Sequence, residues 1–307
     1  MTYSTETPSE LLAVIPHLAG HVISDAIVIV GLQPDGTIRA MWRVGAINPA
    51  VLSRIAVSLR DVEADLDAVI LIGYAPVDIA APALADLAAH IHRLGIDATL
   101  LVSHAGRHWD LNDPTCPAEG RPTQVSADIT EVFTVAFGPV AADEDAVAAV
   151  LDPVTGAARA AMRAATTAFT TALTHDPLLL PRIDLAAIID AEAAPDPHAA
   201  AHTAAALDRS IDTFMQALAL TEHRPDTAMR LWIHLVRHAE PDYRGAPALL
   251  AAYSCALTGQ GVLGCHVVAI AEHLIPHHPF THPIAAAIRS GRVPSAYAAG
   301  LALIDPN

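Results

Sequence analysis

Between residues 108 and 122 the chain reads HWDLNDPTCPAEGRP. Asp110, Asp113 and Glu119 are carboxylates that could work as a proton-exchanging pair, Cys116 offers a thiol and Trp109 a stacking face. With His108 they make the candidate ligand-binding set. In a catalytic version of the same site, His104 or His108 would serve with the acids as general acid and base, but no residue earns a catalytic assignment from its spacing. Pro114, Pro117 and Pro122 each fix φ and remove a backbone donor, so residues 112 to 122 are expected as an ordered irregular loop. A structural account competes with the chemical one. Asn112 and Asp113 suit turn capping, Trp109 suits an anchor whose indole N–H finds a partner, and Cys116 suits a small buried filler.

Other stretches carry motifs that their context disarms. LVRHAE (235–240) resembles the phosphate-binding motif of histidine phosphatases, with His238 as the nucleophile. The chain after Glu240 is too short and too helical for the domain that would supply the second histidine, so His234 and His238 read as positions on one helix. GQGVLG (259–264) spells a dinucleotide pattern, but a helical run precedes it where a strand is required. Seventeen histidines form six HxxxH pairs, where random placement gives about one. None is HExxH and several fall beside proline, so no metal site is identified and any metal is unknown. GxSxG, CxxC and EF-hand patterns are missing, and nothing calls for a cofactor.

Composition narrows the partners. Seventeen basic against 33 acidic residues give a net charge of −16, which argues against nucleic acid and against an anionic membrane surface. All the basic residues are arginine, which excludes a P-loop and any lysine chemistry. Three cysteines make no disulfide framework, and no apolar run is long enough to span a bilayer. A reduced cytoplasmic setting without a signal peptide is the expectation.

The elements that must position the loop read as follows. Ser9–Leu18 is a helix. DAIVIVGL (25–32), DAVILIGYA (67–75) and IDATLLVS (96–103) are buried strands, expected as neighbours in one sheet. PDG (34–36) is a turn, with 37–44 as the hairpin partner of the first strand. Helices over 50–64 and 82–95 separate the strands and cover the sheet, and the loop is expected to leave from the end of the third buried strand, where α/β sheets hold ligands. Beyond about residue 140 only helical spacing remains. Two helices flank Gly259-Gln260-Gly261, with small residues at Ala252, Gly264 and Ala271 and a closing Pro276, the spacing of a tetratricopeptide hairpin. Cys255 and Cys265 should lie near each other there, reduced, as small packing residues. The fold class is therefore α/β, a mixed sheet layered with helices over residues 1–140, followed by an all-α, helical-repeat-like domain over 141–307.

DPTCPAEGRP resembles the signature loop of the actinobacterial family known as domain of unknown function 4192. ELLAVIPHLAGHVISDAIVIVGL (10–32), LIGYAP (71–76) and LWIHLVRHAEPDYRGAPALLAAYSCALTGQGVLG (231–264) resemble further parts of that family in the same order. One cysteine stands in the loop where many relatives carry two adjacent ones, with Thr115 in the other place. The resemblance implies architecture and a cytoplasmic location, and no established activity. The functional expectation is a non-catalytic binding or adaptor protein that meets a protein partner through its helical domain. The alternative is a small-molecule hydrolase built on the acidic and histidine residues of 104–119.

Overall fold

The computed structural model describes residues 7–34, 36–45, 66–124, 126–137, 139–175, 183–191 and 193–290. The chain divides into two compact units, Met1–Asp143 and Glu144–Asn307.

The first unit is a mixed six-stranded sheet. Its strands are β1 (Ala26–Leu32), β2 (Ile38–Gly45), β3 (Ala68–Tyr74), β4 (Asp97–His104), β5 (Arg107–Asp110) and β6 (Arg121–Pro122), in the spatial order β2-β1-β3-β4-β5-β6. Only β3 and β4 run parallel; every other neighbouring pair is antiparallel. The three apolar runs read as buried strands are the adjacent β1, β3 and β4. Side chains alternate across a strand, so each strand feeds two cores. Ile27, Ile29, Val69, Leu71 and Val102 pack with Ala80, Leu84 and Ile91 of α2 (Val77–His92). On the other face Ala26, Val28, Val30, Ile72 and Leu101 pack with Leu11, Leu12 and Ile15 of α1 (Pro8–Ala19). Thr7 and Glu10 form a reciprocal capping box that starts α1, and Gly20 ends it at φ 80°. A third helix, α3 (Ala127–Phe137), lays Ile129 and Phe133 against Val14 of α1.

Two sequence expectations need correction here. Helix α2 begins at Val77, five residues before Pro82, rather than at Pro82. Pro82 lies on the exposed side of the second turn, where its missing N–H costs one bond and its ring meets solvent. The chain also does not pass from the third buried strand straight into the proline-rich loop. Ala105 (φ 49°) and Gly106 (φ 73°) make a two-residue reversal, the positive-φ geometry that matches the twist of a hairpin. RHWD (107–110) then runs back along β4 as β5. The expected helix at 50–64 lies outside the described residues.

The second unit is helical throughout its described residues: α4 (Glu144–Ala149), α5 (Gly156–His175), α6 (Leu185–Asp190), α7 (Pro197–Arg209), α8 (Ile211–His223), α9 (Pro225–His238), a 3-10 turn (Pro241–Tyr243), α10 (Gly245–Thr258), α11 (Gly261–Leu274) and α12 (Thr281–Ser290). Every residue of α10 from Gly245 to Cys255 is buried, as expected of a helix that is apolar all round. It packs against α8, α9, α11 and α12. Trp232 of α9 is fully buried, and its indole N–H donates to Thr221 Oγ1 at 2.9 Å. The GQG segment is the turn between α10 and α11, with Gly259 at φ 75°. A Cβ on Gly264 would come within 3.2 Å of Cys255 Cβ, so the small residue permits the close approach of the two helices. Both hairpin cysteines are free thiols. Cys255 is the buried filler and sits 3.9 Å from Met229 Sδ, whereas Cys265 is exposed and is not a packing residue. Its place just after Gly264 turns it past the interface.

Candidate functional site

The alternation of β5 divides the loop's chemistry between the two faces of the sheet. Trp109 faces the α2 side and packs on its core beside Val102, its cross-strand neighbour. Arg107 shares that face by alternation. Together they hold three consecutive loop carbonyls. Trp109 Nε1 donates to Ala118 O (2.9 Å), Arg107 Nε to Glu119 O (2.6 Å) and Arg107 Nη2 to Gly120 O (2.9 Å). Gly120 lies so close beneath the indole that a Cβ would fall 2.6 Å from Trp109 Cε2.

His108 and Asp110 point to the α1 side. His108 is buried and shares a hydrogen bond with Thr123 Oγ1 at 3.3 Å. Burial lowers its pKa, Arg121 lowers it further, and Asp110 opposes both. The register sets Ser103 of β4 and Arg121 of β6 on either side of His108 in one row across the sheet. Tyr74 ends β3 on the same face and packs in the α1-side core. Its hydroxyl is buried without a hydrogen-bond partner among the described residues, and burial drives its pKa upward.

Two of the three acids, Asp110 and Asp113, are engaged within the loop. Asp110 Oδ1 accepts from Asn112 N (3.0 Å), and Asn112 Oδ1 accepts from Leu100 N (2.6 Å), so Asn112 extends the β4–β5 ladder with its side chain. Asp113 Oδ1 accepts from the backbone N (2.8 Å) and hydroxyl (2.7 Å) of Thr115, and its Oδ2 takes Arg121 Nη2 at 2.6 Å. The Thr115 bonds first, and then Arg121, hold the Asp113 carboxyl at a pKa of about 2. Cys116 is half-buried and donates its backbone N–H to Asp113 O (3.0 Å). Glu119 is exposed.

Of the six candidates, then, the structure brings His108 and Asp110 together with Arg121 and sets Trp109 on the opposite face. His104 is exposed at the hairpin end of β4. Arg107, Gly120 and Arg121 were not among the candidates, although they organise the loop. Strand alternation in β5 places Arg107 with Trp109, but RHWD carries no apolar pattern from which that strand could be read. Among the described residues no group of three or more His, Cys, Asp or Glu side chains is arranged to hold a metal ion. The histidine pairs at 198/202 and 234/238 do fall on single helices, their rings 4.3 and 3.9 Å apart.

A mixed sheet sealed at one edge by a proline-rich polar loop, joined in sequence to an all-helical unit, defines the class of protein. The chain belongs to the family described as Domain of unknown function (DUF4192), which matches residues 8–295. No curated protein and no solved structure matches the chain.

Proposed function

We propose that this is a non-catalytic cytoplasmic binding or adaptor protein. Its helical unit presents a tetratricopeptide-like surface to a protein partner, and the loop at 108–122 forms a rigid rim on the α/β unit. The observation that carries this reading is the engagement of two of the loop's three acids, Asp110 and Asp113. A general acid or base must keep its carboxylate available to substrate. Here the Asp110 and Asp113 carboxylates accept from Asn112, Thr115 and Arg121, which suits a scaffold. The charge of −16 favours a protein partner over nucleic acid or an anionic membrane. No helix among the described residues is long and apolar enough to cross a membrane.

The hydrolase alternative draws on the placement of Asp110 on the same face of β5 as the buried His108. The experiment is to tag the chain in its native host, recover it, and incubate it with the host's small-molecule extract. A stoichiometric protein partner with no metabolite converted is expected. Time-dependent conversion that His108→Ala abolishes would replace the adaptor reading with the hydrolase.

A further inference from the structure

Of the six histidine pairs spaced four residues apart, two lie wholly within one helix: His198 with His202 on α7, and His234 with His238 on α9. That spacing puts both rings on one helix face, where two imidazoles can share an ion. The two pairs differ in geometry, in free nitrogens and in charge.

An ion bound about 2.1 Å from a ring nitrogen lies about 3.2 Å from the ring centre, so two imidazoles at right angles around it have centres about 4.6 Å apart. The rings of His198 and His202 are 4.3 Å apart and tilted by 46°. Those of His234 and His238 are stacked at 3.9 Å and 21°, so they face each other rather than a common ion. His238 also engages one nitrogen, Nδ1, with His234 O at 2.8 Å. Neither the His198 nor the His202 ring is hydrogen-bonded among the described residues. His198 is exposed, and the half-buried His202 packs on Phe169 of α5 with ring centres 4.5 Å apart. Phe169 therefore braces one imidazole while the other is free to adjust.

Charge separates the pairs further. Asp196 caps α7, its Oδ1 accepting from His198 N and Ala199 N, each at 2.8 Å. This sets a carboxylate beside the first pair, which attracts a cation. Arg237 immediately precedes His238 in the second pair and repels one. Part of the arrangement at α7 is structural, since Asp196 is an ordinary N-cap and His202 covers Phe169. Neither role involves the His198 ring.

We propose that His198 and His202, with Asp196 supplying negative charge, bind a divalent transition cation of the nickel or copper kind, whose square or tetragonal coordination places ligands at right angles. Two imidazoles make an open site whose other positions water fills. The site does not depend on the adaptor reading.

The test titrates the full chain with nickel(II) at pH 7.5, above the ordinary imidazole pKa of about 6.5, by calorimetry and by NMR of the histidine rings. A tightest class of one ion per chain is expected, and the His198 and His202 ring signals should be the first to shift or broaden. His198 is exposed, so His198→Gln should fold as the parent does and weaken that class at least ~10-fold, a loss that even a mutated outer-shell partner can cause. Asp196→Asn keeps a good N-cap and should weaken it several-fold, while His238→Gln should leave it unchanged. A tightest class that survives His198→Gln, falls equally in His238→Gln, or first perturbs other histidines would overturn the site and mean an adventitious ion only.

Discussion

Gly120→Ala tests the account of the loop at its tightest point. Gly120 has φ 75°, and a Cβ there would lie 2.6 Å from Trp109 Cε2 and 2.9 Å from His108 O. The left-handed backbone costs an L-residue roughly 1–2 kcal/mol. The collision adds an overpacking cost of about 1–3 kcal/mol, because β5 is held by β4 and the indole by the core below it. A total of ~2–5 kcal/mol is expected. Gly95→Ala is the control. Gly95 has φ 81° with no atom within 4 Å of its added Cβ, so it should lose only the backbone part. Urea unfolding of both variants, followed by circular dichroism, isolates the contact with Trp109 as the difference between them. Equal losses at Gly120 and Gly95 would refute the claim that the loop is clamped on the indole.

Trp109→Ala should destabilise by about 3 kcal/mol, the low end for a truncated aromatic because the ring is half-buried. Trp109→Phe should lose about 1 kcal/mol for the bond to Ala118 O, and Glu119→Ala should stay within about 0.5 kcal/mol of the parent in the same urea assay. His234 is held at a pKa of about 4 by burial, then by His238 and Arg237. Since the folded pKa is depressed, its stabilisation is complete above the unfolded value near 6.5 and is lost as pH falls from there toward 4. Solvent reaching the half-buried ring trims the full shift to about 1–2 kcal/mol. Urea midpoints for the parent and His234→Gln should therefore converge between pH 7.5 and 4.5, and a constant gap would count against the shift. Cys255, fully buried with its pKa pushed up to about 12, should resist iodoacetamide until the chain unfolds, while the exposed Cys265 is alkylated in the native state; mass spectrometry of the labelled peptides reads both. Tyr74→Phe removes a buried hydroxyl that has no partner among the described residues, so it should leave the urea midpoint unchanged or raise stability by up to about 1 kcal/mol.

The strands at 26–32, 68–74 and 97–104 were legible because a buried strand needs an unbroken β-branched, apolar run, and nothing else in the first unit looks like one. The parallel pairing of β3 with β4 followed from the helical segment between them, which makes a crossover connection. The return strand β5 was not legible in the same way. RHWD has four residues and no apolar pattern, and its turn is Ala-Gly rather than Asn-Gly, so the reversal left no strong mark. Missing that reversal moved the loop to the wrong place. It does not leave from the end of β4 but lies along the sheet edge, after β5 has run back toward the start of β4. Trp109 was legible as an anchor because a large amphipathic ring among prolines must put its N–H somewhere. The bond between Asp113 and Arg121 was not, since it depends on a loop closing on itself over eight residues.

The concentration of chemistry in HWDLNDPTCPAEGRP follows from its position on the edge of the sheet. An edge strand presents open N–H and C=O groups that invite pairing with another chain. Beyond β5 the described residues place only two residues of β6, the second of them Pro122, which has no N–H to offer. Pro114 and Pro117 remove two more donors from the loop. The carbonyls that remain must be satisfied without a ladder, and Trp109 and Arg107 do this at residues 118–120. Asp110 and Asp113 do the reverse for the N–H groups of Asn112 and Thr115. Side chains rich in donors and acceptors are therefore what a sealed edge requires in place of another strand, which is why an alanine-rich chain gathers them there.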